Sequence, residues 1–102
     1  MKEKVLRKLF LGFIQTHILY HAGKETIYGS WMIEELRKHG YQISAGTLYP
    51  LLHELLEAGL LEKSEKVVGG KVRKYYSLTR AGEEVLEDAR EKARELVKEL
   101  EE

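Results

Sequence analysis

The sequence predicts a mainly helical α+β fold, with four helices and one small β-hairpin. Three observations carry this. Apolar residues recur at helical spacing in successive stretches, and two short alternating runs meet at Gly69-Gly70. The third is length: 102 residues have room for one core.

The first helix is expected over residues 3–22. Val5, Leu6, Leu9, Phe10, Phe13, Ile14, His17 and Ile18 follow i, i+3, i+4 spacing, while Leu11, Leu19 and Tyr20 widen the apolar surface. Such a helix needs cover on more than one side, and in so small a chain a second subunit is expected to supply it. Ala22-Gly23 reads as its end. The second helix is expected over 28–39, with Trp31, Met32, Ile33 and Leu36 inward and Gly40 as the stop. Arg37 and Lys38 suit its negative end.

Ser44 reads as the N-cap of a third helix reaching about Ala58 and ended by Gly59. Leu48, Leu51, Leu52, Leu55 and Leu56 form its single apolar stripe. Pro50 lies past the first turn of a helix capped at Ser44, so either that turn is distorted or the helix begins nearer Thr47. Strands are expected over 60–68 and 71–78. Gly69-Gly70 supplies the positive φ that both positions of a type I′ turn need. Thr79 caps a fourth helix that runs to the end. In it Leu86, Ala89, Ala93, Leu96 and Leu100 step by three, four, three and four, a short seam flanked by Val85 and Val97. The order helix, helix, helix, hairpin, helix is that of a winged helix-turn-helix. It divides into a domain at 1–80 and a C-terminal dimerisation helix at 81–102.

Net charge is zero, from 17 basic and 17 acidic residues. Its distribution matters more than its sum. Residues 37–82 hold eight basic and four acidic side chains, or +4, whereas 83–102 hold four basic and nine acidic, or −5. A nucleic-acid partner would therefore meet the middle of the chain and not the tail. The absence of cysteine excludes a disulfide framework, a thiolate nucleophile and a cysteine-based zinc site. No apolar run approaches the ~20 residues that span a bilayer, so no membrane association is expected. The basic start runs into Gln15, His17 and His21 without a small-residue cleavage site, so it is not read as a signal peptide and the expected location is the cytoplasm. Ser44, Ser64 and Ser77 have no partner at a recognisable spacing, there is no phosphate-binding glycine loop, and no enzyme activity is expected.

Several segments resemble the PadR family of transcriptional regulators. They are Tyr28-Gly29, Ser44-Ala-Gly-Thr-Leu-Tyr-Pro-Leu-Leu-His53, Leu55-Leu-Glu-Ala-Gly-Leu-Leu61 and Gly69-Gly-Lys-Val-Arg-Lys-Tyr-Tyr-Ser-Leu-Thr-Arg-Ala-Gly82. The likeness runs from about residue 5 to about residue 100. It implies a homodimer joined by its first and last helices, with double-stranded operator DNA bound by the third helix and the wing, most simply as a repressor. A single helix after the wing matches the short-tailed branch. Some such proteins bind a hydrophobic small-molecule effector at the dimer centre. The last helix offers only Val, Leu and Ala inside, which argues against an aromatic sandwich around a flat ligand.

On this reading Thr47, Pro50 and His53, which point away from the leucine stripe near the start of the third helix, and Tyr49 on its border face the major groove, with the Ser44 hydroxyl or the helix N-terminus on phosphate. The alternative is an ordinary solvated helix face. Lys66, Lys71, Arg73 and Lys74 flank the Gly-Gly tip and would bind phosphate or enter the minor groove; alternatively they protect an exposed hairpin edge. Leu6, Phe10, Phe13, Leu86, Ala89, Ala93, Leu96 and Leu100 are the expected dimerisation residues. Phe10, Phe13, Ile14, His17 and Trp31 are the candidate lining of an effector cavity. His17 and His21, one helical turn apart, could share a metal, but the sequence offers no evident third ligand, so no metal or cofactor is expected. Two other functions stay open: a sensor whose main task is ligand capture, and a winged helix that binds protein.

Overall fold

The computed structural model describes residues 1–102 and is α+β. In chain order it contains α1 (Lys2–Lys24), β1 (Ile27–Tyr28), α2 (Gly29–Lys38), α3 (Ala45–Glu57), β2 (Leu61–Val68), β3 (Lys71–Leu78) and α4 (Arg80–Leu100). The strands form one antiparallel sheet in the order β1-β3-β2. Gly69 and Gly70 turn the hairpin with φ of 58° and 79°, the positive values expected of its two central residues.

One core unites the elements. Ile14, Ile18, Leu19 and Ala22 of α1 meet Met32 and Leu36 of α2 and the α3 stripe Leu48, Leu51, Leu52 and Leu55. Ile27, Leu61 and Tyr76 close it from the sheet. Pleating puts Ile27, Leu61 and Tyr76 on one face and sends Tyr28, Lys66, Arg73 and Tyr75 to the other. Thr79 anchors the start of α4: its Oγ1 accepts from the Gly82 amide at 3.0 Å and donates to the Gly59 carbonyl at 2.7 Å. Gly82 is buried against the Leu60 carbonyl and Leu78, with no room for a Cβ. Beyond Arg90 every residue of α4 is exposed.

The structure differs from the sequence reading in three places. First, α1 runs through Ala22-Gly23 to Lys24. Gly23 is not left-handed. A Cβ there would lie 2.8 Å from Leu78 Cδ2, so this glycine serves close packing of α1 on β3 and not helix termination. Second, of the two readings left open at Pro50 the later start near Thr47 fails: α3 begins at Ala45 behind the expected Ser44 cap, with the Thr47 and Leu48 amides both on the Ser44 carbonyl at 3.0 Å. The proline is exposed, and its missing N–H leaves the Gly46 carbonyl without its usual partner. Third, the sheet has a third strand, β1, too short to carry a periodicity.

Candidate nucleic-acid interface

The buried leucines of α3 determine what its other side presents. Tyr49, Pro50 and His53 are exposed and Thr47 is half-buried. Ser44 is the N-cap, yet its hydroxyl makes no capping bond and faces solvent. His53 Nε2 lies 3.3 Å from Glu57 Oε1, an exposed pair that contributes little to stability. The Tyr49 ring reaches across to the start of α2, where only the absence of a side chain at Gly29 leaves room for it.

The wing meets α3 at this point. Tyr28, Gly29, Ser30, Tyr49 and the β3 residues Lys71, Val72, Arg73 and Lys74 line one open groove of about 500 Å³. Lys66 and Arg73 stand directly opposite each other on β2 and β3, a like-charge pairing that is unfavourable by itself. Aromatic faces offset part of that repulsion: the Arg73 guanidinium sits 4.2 Å from the Tyr28 ring centre, and Lys66 Nζ 5.3 Å from that of Tyr75. None of Lys66, Lys71, Arg73 and Lys74 lies within ion-pair distance of a carboxylate, although Lys74 stands opposite Glu65 across the strands. Tyr28, Gly29 and Ser30 were not anticipated as part of this surface. Their position depends on the β1–β3 pairing, of which the sequence gives no sign.

Of the residues expected at a subunit interface, Leu6, Phe10 and Phe13 are exposed on α1, as are Ala93, Leu96 and Leu100 on α4. Leu86 and Ala89 are half-buried where α4 lies along α1. A cleft of about 770 Å³ opens between α1, α2 and α4. Of the five candidate effector residues, Phe13 and His17 line it. Phe10 instead packs edge-on to Tyr41 at 6.0 Å, Ile14 is buried in the core, and Trp31 stands behind His21 at 5.6 Å.

Inside the cleft His17 and His21 of α1 meet His39, the residue that caps the C-terminus of α2, and Glu35 of α2. The His17 and His39 rings stack at 4.5 Å. Glu35 Oε2 lies 3.2 Å from His39 Nε2 and 3.6 Å from His21 Nε2. The second distance is too long for a hydrogen bond, and His21 Nε2 is buried without a partner. Burial and the nearby His39 and His21 hold the His17 imidazole below its usual range, with Glu35 acting the other way. Burial also lowers His21, again against Glu35. A third imidazole, which the sequence did not reveal, thus stands beside His17 and His21. Its signal was a second i, i+4 pair, Glu35 and His39, on the helix that packs against the first.

Three helices carrying a two-stranded wing, with unpaired cations beside the third helix, define the winged-helix class of DNA-binding folds. Residues 18–88 match the model of the transcriptional regulator PadR-like family, and the chain belongs to that family. It is 40% identical over 95 residues to the transcriptional regulator Rv3488 of Mycobacterium tuberculosis, covering 93% of this chain and 89% of that one. Among solved structures it resembles a PadR family transcriptional regulator from Eggerthella lenta, with a TM-score of 0.83 at 32% identity over 96% of this chain and 87% of the other. A PadR-like transcriptional regulator from Bacillus cereus gives 0.82 at 32% identity over 91% and 92%. No helix is long and apolar enough to cross a membrane.

Proposed function

We propose that this regulator acts as a homodimeric, non-enzymatic repressor in the cytoplasm. Two copies of α3 would enter successive major grooves of an inverted repeat while the wings hold the flanking backbone. The observation that carries this reading is the Lys66–Arg73 pairing, two cations opposed on the face away from the core with no carboxylate to relieve them. A phosphate would relieve them. The adjoining groove joins Lys71, Arg73 and Lys74 to Tyr49, so backbone and base contacts would come from one continuous surface. Tyr49 and Thr47 would read bases, Pro50 and His53 would border them, and Ser44 at the helix start would meet phosphate. The acidic α4 would lie away from the duplex as the dimer arm.

Selection of binding sites from random duplexes tests this. Wild type should recover an inverted repeat with half-sites ~10 base pairs apart or a multiple of that. Thr47→Ala and Tyr49→Ala should each relax part of that preference. Identical repeats from all three proteins would rule out base reading by these side chains. One feature favours a second reading: Val67 and Val72 pair at the wing tip with 73% and 62% exposure. Were the wing and α3 together a protein-docking surface, no duplex would be enriched at all.

A further inference from the structure

Two ligating pairs face each other across the α1–α2 contact. His17 and His21 lie one turn apart on α1, and Glu35 and His39 one turn apart on α2, so each helix offers two donors from a single face. Ligating nitrogens of the three histidines lie within 4.8 Å of one another. We propose that His17, His21, His39 and Glu35 form a binding site for a divalent transition-metal ion, zinc above others.

Geometry supports this first. Bonds of ~2.0–2.1 Å arranged tetrahedrally place neighbouring ligand atoms ~3.4 Å apart. The distances from Glu35 Oε2 to the Nε2 atoms of His39 and His21, 3.2 and 3.6 Å, already straddle that value. His17 stands beside them, its ring stacked on His39 and a ligating nitrogen within 4.8 Å of those of His21 and His39. The second support is the buried, unpartnered Nε2 of His21, a lone pair aimed into the cluster that packing alone leaves unused. The third is chemical. Three imidazoles and one carboxylate suit zinc, cobalt, nickel or copper(II), whereas calcium and magnesium call for oxygen donors. The open cleft gives an ion a route in. An ion held here would fasten α1 to α2, and the site stands whether or not the chain binds DNA.

The test uses the full chain without an affinity tag, stripped by chelator and titrated with Co²⁺. Expected are visible bands of tetrahedral cobalt, saturating at one ion per chain and displaced by Zn²⁺, with a rise in melting temperature on zinc addition. His39→Ala removes an exposed side chain and Glu35→Gln keeps the shape. Each should weaken zinc binding by about 10–100-fold or more while the metal-free melting temperature stays near wild type. His53→Ala, on α3, should bind as wild type does. Absence of saturable cobalt and zinc binding by the wild type would overturn the assignment. So would wild-type zinc affinity in both His39→Ala and Glu35→Gln.

Discussion

Removing the charges of Lys71 and Arg73 is the sharpest test of the wing. Both line the groove beside Tyr49 and neither has a carboxylate partner, so their full charge is available to phosphate. Two protomers would make four such contacts. Each contributes ~0.9 to the slope of log K against log salt concentration, so Lys71→Ala with Arg73→Ala should flatten the slope by about 3.6. Between 50 and 200 mM salt, that amounts to about a 150-fold smaller loss of affinity than wild type suffers. Fluorescence anisotropy with a labelled duplex across that range measures it. Arg73→Lys separates charge from stacking: it weakens the contact with the Tyr28 ring and should leave the slope unchanged. Lys92→Ala, on the acidic α4, should change nothing. A double variant with wild-type slope would refute a wing that touches DNA.

Leu96→Glu with Leu100→Glu should yield a folded monomer by analytical ultracentrifugation. These leucines are 45% and 73% exposed, so each withholds roughly 1 kcal/mol of burial, roughly 4 kcal/mol per dimer and about a thousandfold in dissociation constant. A variant that remains dimeric would move the interface elsewhere. Thr79→Ala removes both the α4 cap and the bond to Gly59, and urea denaturation should record a loss of ~1–2 kcal/mol. Gly29→Ala should leave stability nearly unchanged, because the group it meets is the movable end of the Tyr49 side chain. It should nevertheless alter site preference in the selection experiment by pushing that ring outward; unchanged preference would remove Tyr49 from the reading surface.

The leucine stripe of α3, the Gly69-Gly70 turn and the Thr79 cap of α4 were legible because each is a local pattern with one physical meaning. Gly23 was misread because a glycine required for close packing looks, in sequence, like one required for a left-handed turn. Only the position of Leu78, 55 residues later in the chain, separates the two. Pro50 left two starts open for α3, and tertiary burial of four leucines holds the helix across it from the Ser44 cap. At the candidate interface the basic wing residues could be named from composition. Their association with Tyr28 could not, because a two-residue strand has no alternation to read. The histidine cluster failed for a related reason. Half of it was visible as His17 and His21, but its other half depends on how α2 packs against α1, which no single-helix periodicity encodes.

The short strand β1 also constrains what a signal could alter. Tyr28 is the last residue of β1 and the N-cap residue of α2, is paired with Tyr75 of the wing, and carries Arg73 on its ring. Wing and α2 are therefore joined through Tyr28, and α3 is packed against α2 in the same core. In the proposed DNA-bound homodimer, a shift of this joined unit against α1 would keep the surface facing one half-site together and alter its phase relative to the other protomer. Each base pair inserted between half-sites turns them by about 35° around the duplex. A single insertion could then compensate for an inactivating rotation, turning a silenced protein into one that selects a differently spaced operator.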